Sequence, residues 1–352
     1  MENSAFSDQT YPITFLENGQ TYENARIRYR GAWARGWPKK PLKVFFAKDH
    51  RFHGQRCIDL NSGWRDPAFI REILAYEMFA RCGAPASTSR VVQVNFNGRF
   101  RGIYLEIEQP DKPLLARYGL KGAALYKATS HQNWADERDL GPESAFTSHY
   151  EKETDKTASF RDLQQFCHEL ATTSNVRKFF EKHVDLPKYI NYLAATVLVQ
   201  NWDGFNKNHF IVHDLKGSGK WFPVPWDLDR TFGDHWNESF NEATLPVLLG
   251  TENVPGITGW NRLQDRFFSD RALTAQFLAR LNELLRTEFT PEKLYPFLDQ
   301  LESTLRDELP SDYQQWPRYS SDLHNGIIQV KKFIERRREF LAREISRLQQ
   351  SR

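Results

Sequence analysis

The stretch Gln200–Gly233, QNWDGFNKNHFIVHDLKGSGKWFPVPWDLDRTFG, constrains this chain more than any other. Two β-type runs, His209–Leu215 and Trp221–Trp226, are joined by the turn Lys216-Gly-Ser-Gly-Lys220, so they read as a hairpin. A reversal of this kind returns the chain to its starting point. The polar loop before the first run and the acids after the second can therefore share one mouth, which collects Asp203, Asn208, Asp227 and Asp229. A carboxylate such as Asp203, in a loop just after an apolar helix, can orient a hydroxyl and accept its proton. Asn208 offers a neutral oxygen and Asp227 a charged one, a suitable pair for a hard divalent cation. Asp229 is either a second metal contact or a cap for the next segment, and we read it as the cap. Asx residues are common in turns, so D-x4-N alone says little; the order helix, loop, hairpin, acid says more.

The remainder of the chain is long enough to surround such a mouth. With 352 residues, 40% hydrophobic and 14% aromatic, it can bury a large core as one bilobed unit or two docked domains. A net charge of +3 is too small to impose a field that implies nucleic acid. Cys57, Cys82 and Cys167 form no C-x-x-C pair, and they read as reduced buried thiols. No apolar run approaches the about 20 residues that a membrane span needs. The polar start MENSAFSDQT has no apolar signal region, so a cytoplasmic location is the default unless a targeting segment lies outside this sequence.

Taken in order, residues 11–48 read as strands, with Ala25–Arg30 alternating and Leu42–Phe46 β-rich. Between them Arg30–Lys40 is a loop with glycines at 31 and 36, and Arg30, Arg35, Lys39 and Lys40 could face phosphate. It matches neither G-x-x-x-x-G-K-[ST] nor G-x-G-x-x-G, and reads equally well as a surface loop. Asp66-Pro67 opens a helix to about Arg81 that carries Glu72 and Glu77. Val91–Phe96 and Arg101–Glu108 form a hairpin through Asn97-Gly98, followed by a short helix at 112–120 and a strand at Ala124–Lys127. Residues 129–158 are polar and read as a linker. Helices are expected from Ser159, from Asp185 to about Leu198, and at about 270–287, 291–307 and 323–349. The basic run of the last, Lys331–Phe340, reads as a solvated face. The expectation is an α+β chain: an N-terminal β-rich lobe over 1–128 with one long helix, a linker over 129–158, and a helical C-terminal lobe over 159–352.

Helix, D-x4-N loop, hairpin and acid is also the order of the catalytic loop and metal-binding segment of protein kinases. NWDGFNKNHFIV followed by PVPWDLDRTFG resembles the signature of the spore-coat protein H (CotH-like) family of atypical protein kinases. RYRGAWARGWPKKPLKVFF, DPAFIREILAYEMFARCGAPA, NFNGRFRGIYLEIEQPDKPLLARYG and ALYK are similar to its upstream marks, so the likeness runs from about Arg26 to Gly233. The resemblance implies a bilobed protein-kinase-like fold that moves the γ-phosphoryl of ATP, with Mg²⁺ or Mn²⁺, to a Ser or Thr hydroxyl of a protein acceptor. It implies Asp203 as the catalytic aspartate, the base or hydroxyl-orienting group, and Asn208 and Asp227, with Asp229 beside them, as the metal group. It puts Trp226 on the adenine and Tyr126 of ALYK on the other face, with Lys127 alongside. Lys39 or Lys43 would contact phosphate, and Glu72 would pair with that lysine. The first loop departs from the family, reading Ala32-Trp33-Ala34-Arg35 where small hydroxyl residues are usual.

Other readings compete. A kinase acting on a small molecule would show the same base and metal residues. A non-catalytic binding or structural protein could keep the fold, though it would not need all three polar positions. Basic and aromatic residues interleave over Arg28–Lys40, as in single-strand nucleic-acid binders, but their surroundings are acidic. No H-E-x-x-H or G-x-S-x-G motif supports a zinc or serine hydrolase.

Overall fold

The computed structural model describes residues 5–66, 68–129, 134–154, 159–235, 243–251, 259–317 and 322–350. Alternation organises the N-terminal half. In β2 (Gln20–Tyr29) Ala25, Ile27 and Tyr29 turn into a core with Leu42, Val44, Phe52, Ile58 and Leu60, while Arg26 and Arg28 take the opposite face. Six antiparallel strands follow the order β1-β2-β3-β4-β6-β5, where β1 is Tyr11–Glu17, β3 Leu42–Phe45, β4 Cys57–Asn61, β5 Ser89–Phe96 and β6 Arg99–Glu108. The β5–β6 turn is Asn97-Gly98, both at positive φ (50° and 76°), the conformation a two-residue hairpin favours.

The first helix, α1, spans Arg71–Arg81 and so starts later than expected. Asp66 still serves its entry: Oδ2 accepts the amides of Ile70 at 2.9 Å and Arg71 at 2.7 Å. Pro67 lies outside the described residues. After α2 (Lys112–Arg117) comes β7 (Ala124–Ala128), which joins a second sheet of order β10-β9-β7-β8. Here β8 is Tyr150–Lys152, β9 His209–His213 and β10 Trp221–Pro225. The polar segment read as a linker thus supplies α3 (Glu143–Phe146) and β8. Strand β7, read with the first sheet, pairs with β9 instead. Such pairings between distant segments leave no local mark in a sequence.

Helices α4 (Arg161–Thr172), α5 (Val176–His183) and α6 (Leu186–Val199) precede the hairpin. The side chain of Asp185 caps α6, and every residue from Tyr189 to Val199 except Asn191 is buried. A helix apolar all round belongs in the middle of a fold. Around it pack α7 (Arg262–Ser269), α8 (Arg271–Thr287), α9 (Pro291–Leu305) and α11 (Leu323–Gln350). The basic run of α11 is not wholly solvated. Arg337 is fully buried and donates to the carbonyls of Val197, at 2.8 and 3.1 Å, and of Ala243 and Leu245, at 2.9 and 2.6 Å. Val197 belongs to the last turn of α6, whose carbonyls lack partners within the helix. Burial lowers the guanidinium to about 9. The three cysteines are buried and free.

The short α10 (Leu309–Gln315) returns to the first sheet. Lys39 is buried, its Nζ 2.5 Å from Asp312 Oδ1 and also bonded to the carbonyl of Ile103; the Ile103 amide donates to Asp312 Oδ1 at 2.8 Å. Gly102, at the β5–β6 bulge with φ 141°, makes room, since a Cβ there would lie 2.6 Å from Asp312 and 2.9 Å from the Lys39 chain. Lys39 is therefore a structural cation rather than a phosphate ligand. Lys39→Met, leaving a buried carboxylate unpaired, is expected to cost about 3–5 kcal/mol in urea denaturation. Adding Asp312→Leu should restore at least half of that loss.

Candidate active site

The hairpin register sets the geometry. Pro225 pairs with His209, so Asn208 faces Trp226 one step beyond, and the Trp226 amide donates to the Asn208 carbonyl at 3.1 Å. Both strand ends then kink. Asn208 and Asp227 sit at φ 56° and 58°, a left-handed conformation that Asx residues tolerate best after glycine. Asp203 lies in the loop after α6, whose last turn closes with Gln200 in the same conformation. Asp203 Oδ1 is 2.8 Å from Lys207 Nζ, and Oδ2 accepts from Asn208 Nδ2 at 2.8 Å. That bond uses the amide nitrogen of Asn208, so the amide oxygen is the atom it can turn to a cation.

Opposite stands the first sheet. Cross-strand register aligns Arg28, Lys43 and Asp59 in one row, and Arg30 follows Arg28 on the same face. Asp59 is buried between Arg30 Nε at 3.0 Å and Lys43 Nζ at 3.2 Å. Burial would raise its carboxyl, but the two cations outweigh it and hold the carboxyl low. Lys43 also donates to Gln109 at 2.6 Å. Lys127 of β7 adds a third cation, its pKa lowered by burial and then by Lys43 and Arg30, with Glu151 and Asp59 opposing. Between the faces is a cleft of about 880 Å³. Arg30 and Lys43 make its first-sheet side cationic, and Lys127 adds a cation from the second sheet; Asp203, Asp227 and Asp229 gather at the hairpin end, with Lys207 and Arg230 beside them.

The acids crowd one another. Burial, with Asp227 adding, raises Glu72 to about 8 even though Asn61 Nδ2 donates to it at 2.8 and 2.9 Å. Asp229 is pushed well above the carboxylate range by burial and then by Asp227 and Glu72. Asp203 is raised by burial against the pull of Lys207, with Asp227 adding.

Of the residues expected at the site, Asp203, Asn208, Asp227, Asp229, Lys43, Glu72, Lys127 and Trp226 line this cleft. Lys39 does not, for the reason given above. Neither does Tyr126: strand alternation turns it inward, where it is fully buried and donates to Asp162 at 2.5 Å. Trp226 is 5% exposed, with the Arg30 guanidinium 5.5 Å from its ring centre and the Phe210 ring perpendicular to it at 5.6 Å between centres. Glu72 bonds Asn61 rather than a lysine; the lysine's partner is Asp59. For Asp229, read as a cap for the next segment, no helix begins between β10 and α7 among the described residues.

Sequence reasoning passed over Asp59, Asn61, Lys207 and Glu137. A charged residue inside the apolar run CIDLN marks Asp59, and the i, i+4 spacing from Asp203 marks Lys207. Glu137 carries no such signal. It is buried beneath the loop, its Oε1 2.8 Å from His209 Nε2 and its Oε2 bonded by Asn261 Nδ2. Asn261 also donates to the Phe205 carbonyl at 2.6 Å, and His209 Nδ1 lies 3.0 Å from the Lys207 carbonyl. Burial alone would lower the His209 pKa; Glu137 reverses that and raises it. Loop 203–208 thus rests on a buried ionic base.

The fold is α+β, with a cationic sheet facing an acid-bearing hairpin. The family model described as CotH kinase protein matches residues 27–341, and the chain belongs to that family. It is 28% identical over 301 residues to inner spore coat protein H of Bacillus subtilis (strain 168), covering 84% of this chain and 80% of that protein. An inner spore coat protein H-like protein of the same organism is 23% identical over 303 residues, covering 84% and 82%. Among solved structures, the Helicobacter pylori proinflammatory kinase CtkA aligns over 94% of both chains at 10% identity and a TM-score of 0.37. The Shewanella oneidensis MR-1 toxin–antitoxin complex of HipA, HipB and operator DNA aligns over 87% of this chain and 60% of that one, at 13% identity and 0.31. No described helix is long and apolar enough to cross a membrane.

Two measurements check the site's electrostatics. Glu72 holds a proton in the folded state up to about pH 8 that the unfolded chain gives up near 4.5. Stability is therefore expected to fall as pH rises through that window, and Glu72→Gln should flatten the fall in melting temperature. For His209 the sign is that of a base stabilised when charged: its contribution is full below 6.5 and is lost as pH rises through the folded value. In Glu137→Gln the His209 ring, followed by NMR, should titrate lower than in the wild type.

Proposed function

We propose that the protein transfers the γ-phosphoryl of ATP to a Ser or Thr hydroxyl of a protein acceptor. The observation that carries this reading is the polarised cleft, with phosphate-seeking cations facing an oxygen-donor acid group. Arg30, Lys43 and Lys127 would take the phosphates. Among the described residues no three His, Cys, Asp or Glu side chains close into a metal site of their own. The donors present still fit a divalent cation shared with phosphate: Asn208 and Asp227 supply few protein oxygens, and the raised Asp229 and Glu72 mark repulsion that a cation would relieve. When bound, Mg²⁺ or Mn²⁺ supplies charge neutralisation for the phosphates.

Asp203 faces the acceptor in this reading. Lys207 and Asn208 hold its two oxygens, and the raised pKa suits a group that takes a proton as transfer proceeds. The acceptor oxygen forms a bond to the γ-phosphorus, the bond from that phosphorus to the β-bridging oxygen breaks, and the acceptor proton passes to Asp203, leaving ADP. Trp226 is nearly buried with the Arg30 guanidinium 5.5 Å from its ring centre, so Trp226→Ala should weaken nucleotide binding through the loss of Arg30 placement as well.

The test incubates wild type, Asp203→Ala and Asp227→Ala with labelled ATP, Mg²⁺ or Mn²⁺ and dephosphorylated casein. Transfer is expected to fall about 10²–10⁴-fold in Asp203→Ala and at least as far in Asp227→Ala. Nucleotide binding should survive better in Asp203→Ala. Equal activity in the three proteins would sink the proposal. Transfer to small alcohols alone would make the protein a small-molecule kinase.

A further inference from the structure

Outside the inner site, β2 presents more cations than phosphotransfer uses. Arg26, Arg28 and Arg30 share one face, at the strand spacing of about 7 Å for alternate residues. Arg30 is committed to Asp59 and Asn61. Arg28 lies one repeat further out, and with Arg35 of the first loop it lines the mouth of the same cleft.

A stretch of this chain lies on that face. Arg35 Nη1 donates to the Phe6 carbonyl at 3.0 Å. The Asp8 carboxylate takes Arg35 Nη2 at 2.6 Å and Arg28 Nη1 at 3.0 Å. Arg26 donates to the hydroxyl of Thr10 at 2.6 Å and to its carbonyl at 2.7 Å. The contacts fall on residues 6, 8 and 10, in the segment that leads into β1.

The two halves of the Asp8 contact are built differently. The side chains of Arg28 and Arg35 keep 20% and 11% of their exposure, whereas Asp8 keeps 75%. The cations are set by the fold, with Arg28 also tied to the Tyr29 carbonyl at 2.9 Å. The anion is not, and an exposed pair of this sort holds its occupant weakly. A second carboxylate on an extended chain would find the same two guanidinium groups ready.

We propose that Arg28 and Arg35 form a subsite for an acidic side chain of the acceptor segment, and that Asp8 is its tethered occupant, displaced when an acidic acceptor enters. The inference rests on the phosphotransfer reading and names the substrate class it serves. It also gives the basic and aromatic Arg28–Lys40 stretch a role other than nucleic-acid binding.

The experiment uses two fluorescein-labelled peptides of equal length, each a serine flanked by three aspartates or by three lysines on either side. Binding is read by anisotropy without ATP, and transfer by steady-state kinetics with Mg·ATP. Wild type should favour the aspartate peptide. Asp8→Ala should bind it about two- to fivefold more tightly, the factor for removing one exposed competing ion pair, with KM for ATP unchanged. Arg28→Gln/Arg35→Gln should lose the preference and keep KM for ATP and the melting temperature. A preference that survives the double substitution overturns the proposal. So does a loss that falls on KM for ATP, because the arginines would then hold nucleotide phosphate. Selective binding of the aspartate peptide without transfer to any acceptor would leave the subsite standing and refute the phosphotransfer reading alone.

Discussion

One backbone hydrogen bond, from the Trp226 amide to the Asn208 carbonyl, holds the site together. It is the last rung of the β9–β10 ladder. Because side-chain direction alternates along a strand, a slip of one residue would turn Asp227 away from Asn208. Both residues leave the ladder in a left-handed conformation, which frees their side chains from the pleat and aims them at the cleft. The buried Glu137–His209 pair, with Asn261 beside it, supports the same rung from below.

Electrostatics then divides the cleft. Asp59 is deeply buried yet stays ionised because two cations flank it, and in doing so it orients Arg30 and Lys43 toward the space between the sheets. Opposite, burial and the neighbouring Asp227 push the carboxyls of Asp203 and Asp229 up against the pull of Lys207 and Arg230. A phosphate with a divalent cation would relieve both faces at once. That complementarity is the physical case for a nucleotide in a protein of the CotH kinase family.

The C-terminal helices do more than enclose the core. Asp312 of α10 pins Lys39 and the bulge at Gly102, so the first sheet is tied to a segment more than two hundred residues away in sequence. Arg337 of α11 satisfies the end of α6, from which the loop bearing Asp203 emerges. Each is a buried charge whose partners come from elsewhere in the fold, and each is costly to orphan.

Local chemistry made much of this legible in advance. Alternation, the Asn97-Gly98 and Gly-Ser-Gly turns and the apolar run of α6 mark β2, the two hairpins and α6, but they leave β4, α3, β8 and α10 unmarked. The order of Asp203, Asn208 and Asp227 around a hairpin settles that they meet. What local chemistry leaves open is any choice between equivalent residues. Lys39 and Lys43 are both lysines near the start of β3, and only the arrival of Asp312 assigns one to the core and leaves the other at the cleft. Tyr126 and Lys127 are neighbours on a strand, and only the pairing of β7 with β9 decides which of them faces in. Glu137 gains its role from His209 and Asn261, which lie far along the chain. Turns and periodicity are properties of neighbouring residues, whereas burial and charge pairing belong to segments brought together by packing, and no single stretch of chain contains them.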